Sequence, residues 1–138
     1  MIDLLKLQNG SDIRGVAAEG IVGEPVTLTP DAVNLIGQAF VKWLSEKSEK
    51  PTSELKIGVG HDSRITKDLM KDAFITGASA AGATLYYCGL VSTPSMFMST
   101  VLPQLDYDGA IMITASHLPF NRNGLKFFSK EGGLESKE

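Results

Sequence analysis

An uninterrupted apolar run, GAIMITAS at residues 109–116, constrains the fold of this chain more than any other segment. A strand that faces solvent on one side alternates apolar and polar residues, but this run has no charged residue and no alternation. Such runs are typical of strands that are covered on both faces of a sheet. We therefore expect a sheet that lies between two layers of helices.

Helical and extended patterns alternate along the rest of the chain. Helices are predicted at 31–46, after Thr29 as N-cap and Pro30, at 66–81, and from 92 to Pro103. Further strands are predicted at 55–62, 83–90 and 124–129. The alternation predicts an α/β fold, a three-layer α/β/α domain with a mixed, mainly parallel sheet. Because the last two strands are joined by a short connection, the last one is expected to be an antiparallel edge strand.

Composition narrows the class of protein. A chain of 138 residues is enough for one core, and we expect a single domain over residues 1–138. With 43% hydrophobic and 21% charged residues and a net charge of -3, neither a disordered chain nor a nucleic-acid partner is indicated. The N-terminal segment has no long apolar core, so no membrane partner is expected and a cytoplasmic location is predicted. The single cysteine, Cys88, cannot form an internal disulfide.

Polar residues follow several of the predicted strands, at the edge where open α/β sheets bind ligands. The segments are GSDIRG at 10–15, GHDSR at 60–64 and TASHLPFNRNGLK at 114–126. Around Ser116 they offer four cationic residues, Arg14, Arg64, His117 and Lys126. In a protein of negative net charge, this local reversal suggests that an anion binds there.

Each of these residues also has an ordinary structural interpretation. A lone loop arginine is usually solvated, His61 is usually a strand-end residue bonded to backbone, and Asp62 could cap the next helix or pair with Arg64. Ser116 and His117 are adjacent, so they are not a catalytic dyad by themselves. The convergence at one sheet edge favours a functional interpretation.

The third segment resembles the α-D-phosphohexomutases, a family that includes phosphoglucomutases, phosphomannomutases and phosphoglucosamine mutases. The family signature is Thr-Ala/Gly-Ser-His-Asn-Pro followed by Asn-Gly-x-Lys. The matching residues here are Thr114, Ala115, Ser116, His117, Pro119, Asn123, Gly124 and Lys126. DIRG, GHDSR and the STP at 92–94 look like further family landmarks in the right order, so the resemblance covers nearly the whole chain. Leu118 departs from the signature, which has asparagine at this position, so the loop lacks that side-chain amide.

The resemblance implies that Ser116 is carried as phosphoserine. It would donate its phosphoryl group to a hexose phosphate and interconvert hexose 1-phosphate and 6-phosphate through a hexose bisphosphate. Lys126 would be the general acid/base, and His117 and Arg64 would bind the transferring group. Arg14, with Ser11 and Asn123, would bind substrate or phosphate.

The family's proteins have four domains, and this chain resembles the first. Mg2+ is expected on the phosphate of Ser116, with its other ligands supplied by a domain outside this chain. The remaining mutase domains would thus be partners, and the chain alone is expected to show no appreciable mutase activity. DYDG at 106–109 is expected to form a turn rather than a metal loop.

Two alternatives use the same residues. The chain could be a non-catalytic module that binds phosphate or a partner through its cationic edge. A serine hydrolase using Ser116, His61 and Asp62 is disfavoured, because the chain has no G-x-S-x-G elbow and His61 and Asp62 are adjacent.

Overall fold

A seven-stranded mixed sheet forms the centre of the structure, a computed structural model that describes residues 2–138. The strands are β1 (Gln8–Asn9), β2 (Asp12–Val16), β3 (Lys56–His61), β4 (Thr84–Leu90), β5 (Gly109–Ile113), β6 (Arg122–Ser129) and β7 (Gly132–Gly133). Their order is β1-β2-β6-β5-β3-β4, with β7 paired to β6. All five residues of β5 are buried, as the apolar run predicts.

The α-helices in residues 2–138 are α1 (Pro30–Ser48), α2 (Lys67–Ala80) and α3 (Thr93–Val101), and two short 3-10 helices lie at Leu4–Leu7 and Thr52–Glu54. The predicted N-cap of α1 is confirmed, since Thr29 Oγ1 accepts a hydrogen bond of 3.2 Å from the Ala32 amide. Ser92 caps α3 in the same way. No helix in the described part of the chain is both long enough and apolar enough to cross a membrane.

The helices cover both faces of the sheet, which confirms the three-layer α/β/α class. On one face α1 and α2 pack over the fully buried side chains of Ile57, Val59, Ile111 and Ile113. On the other face α3 places Met96 against a smaller cluster of Ala110, Met112 and Phe128. Odd and even positions of β5 therefore face different helices, which is why the strand has no polar alternation.

The pairing of the strands corrects two details of the predicted sheet. Only β3 pairs in parallel, with β4 and β5, whereas the other pairings among residues 2–138 are antiparallel. The sheet is thus mixed but not mainly parallel, because short connections such as β5 to β6 cannot make parallel crossovers. The predicted antiparallel direction of β6 is confirmed, but β6 is not at an edge, since β2 pairs with its outer side.

The turn predicted at DYDG lies slightly earlier, at residues 103–105, and the Asp106 amide closes it by donating to the Leu102 carbonyl oxygen at 2.9 Å. Asp106 has a positive φ of 47°, and Asp108 accepts hydrogen bonds from the Lys56 amide at 2.9 Å and Lys50 Nζ at 2.6 Å. Both acidic side chains therefore serve the local structure, since Asp106 pairs with Lys130.

Candidate functional site

The loop at residues 114–122, called the serine loop here, leaves the end of β5 and carries Ser116 to the surface. Ala115 is buried, whereas Ser116 and His117 are exposed. Ser116 has a φ of 51°, a conformation that few residues other than glycine adopt. Its amide donates a hydrogen bond of 3.1 Å to Thr114 Oγ1. The hydroxyl of Ser116 is thus presented at the carboxyl edge of the sheet by a constrained backbone.

Asp62, just beyond the end of β3, ties this loop to the neighbouring strand. Its Oδ2 accepts a hydrogen bond of 2.7 Å from Thr114 Oγ1, and its Oδ1 accepts one of 3.0 Å from the Arg64 amide. One carboxylate therefore fixes the two loops that follow β3 and β5 relative to each other.

Arg64 is engaged by the backbone of the serine loop. Its Nη1 donates to the carbonyl oxygens of Pro119 at 2.8 Å and Arg122 at 3.0 Å. Its Nη2 donates to those of Ser116 at 2.8 Å and Leu118 at 2.9 Å. A guanidinium has four terminal N–H groups, so all of them are used. The prediction that Arg64 binds the transferring phosphoryl group is corrected here, since no terminal donor remains for it.

Two other predicted cations, Arg14 and Lys126, share a face of the sheet with α3. Lys126 lies opposite Met112, and Arg14 lies opposite Gly124, two positions before Lys126 on β6. The Thr114 amide also bonds to the Gly124 carbonyl, so Arg14 is level with the start of the serine loop. Two strand spacings, about 10 Å, separate β2 from β5, a gap that an arginine side chain can largely span.

Asp12 holds these two cations and was missed by the sequence reasoning. Lys126 Nζ donates to its Oδ1 at 2.7 Å, and Arg14 Nη2 donates to its Oδ2 at 3.0 Å. The residue is 7% exposed. Asp12 precedes Arg14 by two positions, so a strand assignment for DIRG would have placed both on one face.

His117 is exposed and makes no side-chain hydrogen bond within residues 2–138. Its imidazole adjoins Ser116 in the chain and is free to meet a ligand. Among the predicted site residues on the serine loop, Ser116 and His117 are therefore the accessible ones.

Two predicted binding residues lie elsewhere. Asn123 is fully buried, and its amide nitrogen donates to Thr66 Oγ1 at 2.9 Å while its oxygen accepts from the Gly124 amide at 2.8 Å. Its assignment to phosphate binding is corrected to a structural role, because a ligand cannot reach it. Ser11 lies in the turn before β2, whereas Ser116 follows β5. Both strands are antiparallel to β6, so they run in the same direction. Ser11 is thus at the opposite sheet edge, beside a separate groove of about 450 Å³.

The hydrolase alternative has no geometric support. His61 is 3% exposed, its Nε2 shares a hydrogen bond of 2.6 Å with Tyr87 Oη, and its Nδ1 lies 2.7 Å from the Asp62 carbonyl oxygen. Both ring nitrogens are thus occupied away from Ser116. A catalytic triad needs one of them at the serine hydroxyl.

Glu24 ties the segment between β2 and α1 to the end of the serine loop. Its carboxylate accepts a hydrogen bond from Asn121 Nδ2 at 3.0 Å and forms an ion pair with Arg122 Nη2 at 3.1 Å. The Asn121 bond, aided by the charge of Arg122, lowers the pKa of Glu24 below its ordinary value. The serine loop is therefore held from both sides.

Acidic and imidazole groups in residues 2–138 do not gather into a set of three that could hold a metal. The carboxylates beside the serine loop are already engaged, Asp62 by Thr114, Glu24 by Asn121, and Asp12 by Lys126 and Arg14. These residues do not fit a Mg2+ site by themselves.

Comparison with known proteins gives one consistent family. Residues 5–138 match the model of phosphoglucomutase/phosphomannomutase, alpha/beta/alpha domain I. A phosphoglucosamine mutase of Caldicellulosiruptor saccharolyticus is 34% identical over 127 residues, which cover 92% of this chain and 25% of that protein. One from Caldanaerobacter subterraneus subsp. tengcongensis is 37% identical over 124 residues, 89% of this chain and 25% of its own length.

A solved structure agrees with these sequence matches. The phosphoglucomutase/phosphomannomutase family protein of Burkholderia thailandensis superposes with a TM-score of 0.77 at 26% identity, covering 98% of this chain and 28% of that one. This chain spans about a quarter of the length of the curated relatives it matches.

Proposed function

Because this chain belongs to the phosphoglucomutase/phosphomannomutase family, as an α/β/α domain I, we propose that Ser116 is the phosphoryl carrier of a phosphohexomutase. The full mutase would interconvert hexose 1-phosphate and 6-phosphate through phosphoserine and a hexose bisphosphate. One observation carries the proposal. Ser116 is exposed at a fixed, positive φ on the sheet edge where Arg14 is level with the start of its loop.

The electrostatics of the site suit an anion. A phosphoserine carries about -1.5 to -2 charges near neutral pH, and the substrate brings a second phosphate. Arg14 and Lys126 share the single carboxylate of Asp12, so one positive charge is left uncompensated on this face. His117 adds a further polar group beside the serine. We assign Arg14 and His117 to the phosphoryl oxygens.

The transfer itself exchanges one ester bond for another. The oxygen of a sugar hydroxyl attacks the phosphorus, and the bond from phosphorus to Ser116 Oγ breaks as the new bond forms. As the bond to Ser116 Oγ breaks, the Lys126 ammonium gives a proton to the leaving serine oxygen and takes the proton that the attacking sugar hydroxyl loses. When the other phosphate returns to Ser116, the same exchange protonates the leaving sugar oxygen and removes the proton of the serine hydroxyl. Asp12 orients the Lys126 side chain for proton transfer by accepting its 2.7 Å hydrogen bond.

In this proposal Mg2+ would be bound by the phosphate on Ser116. Its other ligands would come from outside this chain, because the nearby carboxylates of Asp12 and Asp62 are engaged. We further propose that the mutase acts in the cytoplasm. Because the curated relatives are phosphoglucosamine mutases, glucosamine phosphate is the first substrate to test.

The test joins this chain to the remaining domains of the Caldicellulosiruptor saccharolyticus relative. After incubation with hexose 1,6-bisphosphate, phosphopeptide mapping should find phosphate on Ser116, and Ser116→Ala should abolish mutase turnover. Ser136→Ala, a change at another exposed serine, is the matched control. An active Ser116→Ala variant would refute the carrier role and favour the binding-module alternative. The 138-residue chain alone should show no appreciable turnover.

A further inference from the structure

We propose that Arg64 is a positioning residue that holds the serine loop in its working conformation before any ligand binds. Its catalytic importance rests on the proposed function of Ser116, but the positioning itself does not. Arg64 acts through backbone carbonyls and has no part in touching the phosphoryl group. The starting observation is that its four terminal N–H groups reach four carbonyls of residues 116–122.

The bonding pattern requires an arginine. The four acceptors are the carbonyl oxygens of Ser116, Leu118, Pro119 and Arg122, at 2.8 to 3.0 Å from the guanidinium. A planar fork with donors on two nitrogens can bond two pairs of acceptors at once. A lysine ammonium offers three donors from one point, so it cannot reproduce the pattern.

The anchor of this clamp is rigid. Arg64 is only two residues beyond Asp62, whose carboxylate accepts the Arg64 amide hydrogen bond at 3.0 Å and lies 3.6 Å from Nε. The Arg64 side chain is 11% exposed, so the guanidinium is largely removed from water. The serine loop is thereby fastened to the end of the buried strand β3 by charge-assisted bonds.

The clamp explains why Ser116 can keep a strained backbone. A residue with a side chain at positive φ persists only where its surroundings over-determine it. Here the Ser116 amide is bonded to Thr114 Oγ1, and its carbonyl is bonded to Arg64. Both peptide groups that flank its φ and ψ angles are therefore restrained.

The same contacts account for the departure at Leu118. This residue contributes its carbonyl oxygen to Arg64 and its amide to the Ala115 carbonyl. Both contacts come from the backbone, so replacing an asparagine amide by an isobutyl group leaves the clamp intact.

The first experiment uses the unmodified 138-residue chain and the 15N NMR signals of its arginine side chains. Slow rotation should give separate Nη–H resonances for Arg64. Arg122 should give an averaged signal, because its side chain is 35% exposed and its one ion pair is to Glu24. A freely averaged Arg64 signal would overturn the proposal without any variant being made.

The second experiment measures amide hydrogen exchange in Arg64→Lys, with Arg122→Lys as the matched control. Exchange at the Leu118 and Arg122 amides should accelerate about tenfold or more in Arg64→Lys, as expected for a released local segment. Amides of β5 should keep their protection, and the Ser116 cross peak should shift. A protected loop in Arg64→Lys would overturn the clamp, whatever the outcome at Ser116. A clamped loop without phosphate on Ser116 would count against the proposed function alone.

Discussion

Replacing Asp12 by asparagine should destabilise the chain and at the same time strengthen its response to phosphate. The carboxylate is 7% exposed and bonds to Lys126 Nζ at 2.7 Å and to Arg14 Nη2 at 3.0 Å. The amide oxygen of asparagine can still accept a hydrogen bond, but the negative charge is lost. Two cations then face each other without a counterion.

The size of the loss follows from burial. Removing one partner of a fully buried ion pair costs about 3–5 kcal/mol, and an exposed pair contributes at most about 1 kcal/mol. The side chains of Lys126 and Arg14 are 31% and 26% exposed, between these limits. We expect the free energy of unfolding to fall by about 1–3 kcal/mol, which lowers the urea midpoint by about 1 M for an m-value near 2 kcal/mol/M.

The phosphate response has the opposite sign. With no carboxylate to compete, Arg14 and Lys126 are both available to an anion, so the asparagine variant should bind phosphate more tightly than the unmodified chain. An anion at ten times its Kd stabilises the folded state by about 1.4 kcal/mol. Phosphate should therefore restore much of what the substitution removes.

Urea unfolding followed by Trp43 fluorescence gives both quantities, in phosphate and in chloride at equal ionic strength. Asp106→Asn is the matched control, since Asp106 is 63% exposed and pairs with Lys130 away from the serine loop. Its urea midpoint should stay close to that of the unmodified chain in either salt. Equal phosphate stabilisation of Asp12→Asn and the unmodified chain would show that Asp12 does not compete with phosphate for the two cations.

Three further predictions concern the scaffold. Gly77→Ala should lower the free energy of unfolding by about 1–3 kcal/mol, because the added Cβ would overlap the Asn34 carbonyl oxygen. Helix propensity alone predicts that alanine raises the free energy of unfolding by about 1 kcal/mol, so a more stable Gly77→Ala variant in urea unfolding would contradict the predicted overlap. Ser79→Ala, at an exposed position of the same helix, is the control. Burial raises the pKa of the Cys88 thiol, so its alkylation by iodoacetamide should need a higher pH than alkylation of a cysteine in a short peptide. If the two reactions have the same pH midpoint, burial does not raise the pKa of Cys88. The hydrogen bond from the side-chain amide of Asn121 lowers the pKa of Glu24 in the folded state. The contribution of Glu24 to stability is therefore present above its ordinary pKa and is lost as pH falls through its folded-state pKa. Glu24→Gln should flatten that acid limb in urea titrations, and an unchanged limb would show that the bond is unimportant.

Local patterns in the sequence predicted those elements whose signal lies within a few residues. The apolar run of β5, the N-cap of α1 and the serine loop are of this kind. The strand β2 was missed, because DIRGV has no clear alternation and its pairing with β6 joins residues more than 100 positions apart. Without β2, the sequence could not show that β6 is an interior strand.

The errors at Asn123 and Ser11 have a geometric cause. Successive residues of a strand point to opposite faces, so Asn123 lies on the face covered by α1 and α2, where it bonds to Thr66, while Lys126 lies on the face that α3 covers in part. A motif such as Asn-Gly-x-Lys gives no indication of this split unless the register of the strand is known. Ser11 precedes its strand, whereas the ligand edge follows the strands.

The charge of the site could not be counted from residue types alone. The sequence offers four cationic residues around Ser116, yet the charge of Arg64 is balanced by the Asp62 carboxylate 3.6 Å from its Nε, and Arg14 and Lys126 share Asp12. About one uncompensated positive charge then faces a phosphoserine of about -1.5 to -2 charges and a substrate phosphate. Attraction of that size positions one anion but not two. This balance is a physical reason to expect that the chain alone does not turn over a hexose phosphate.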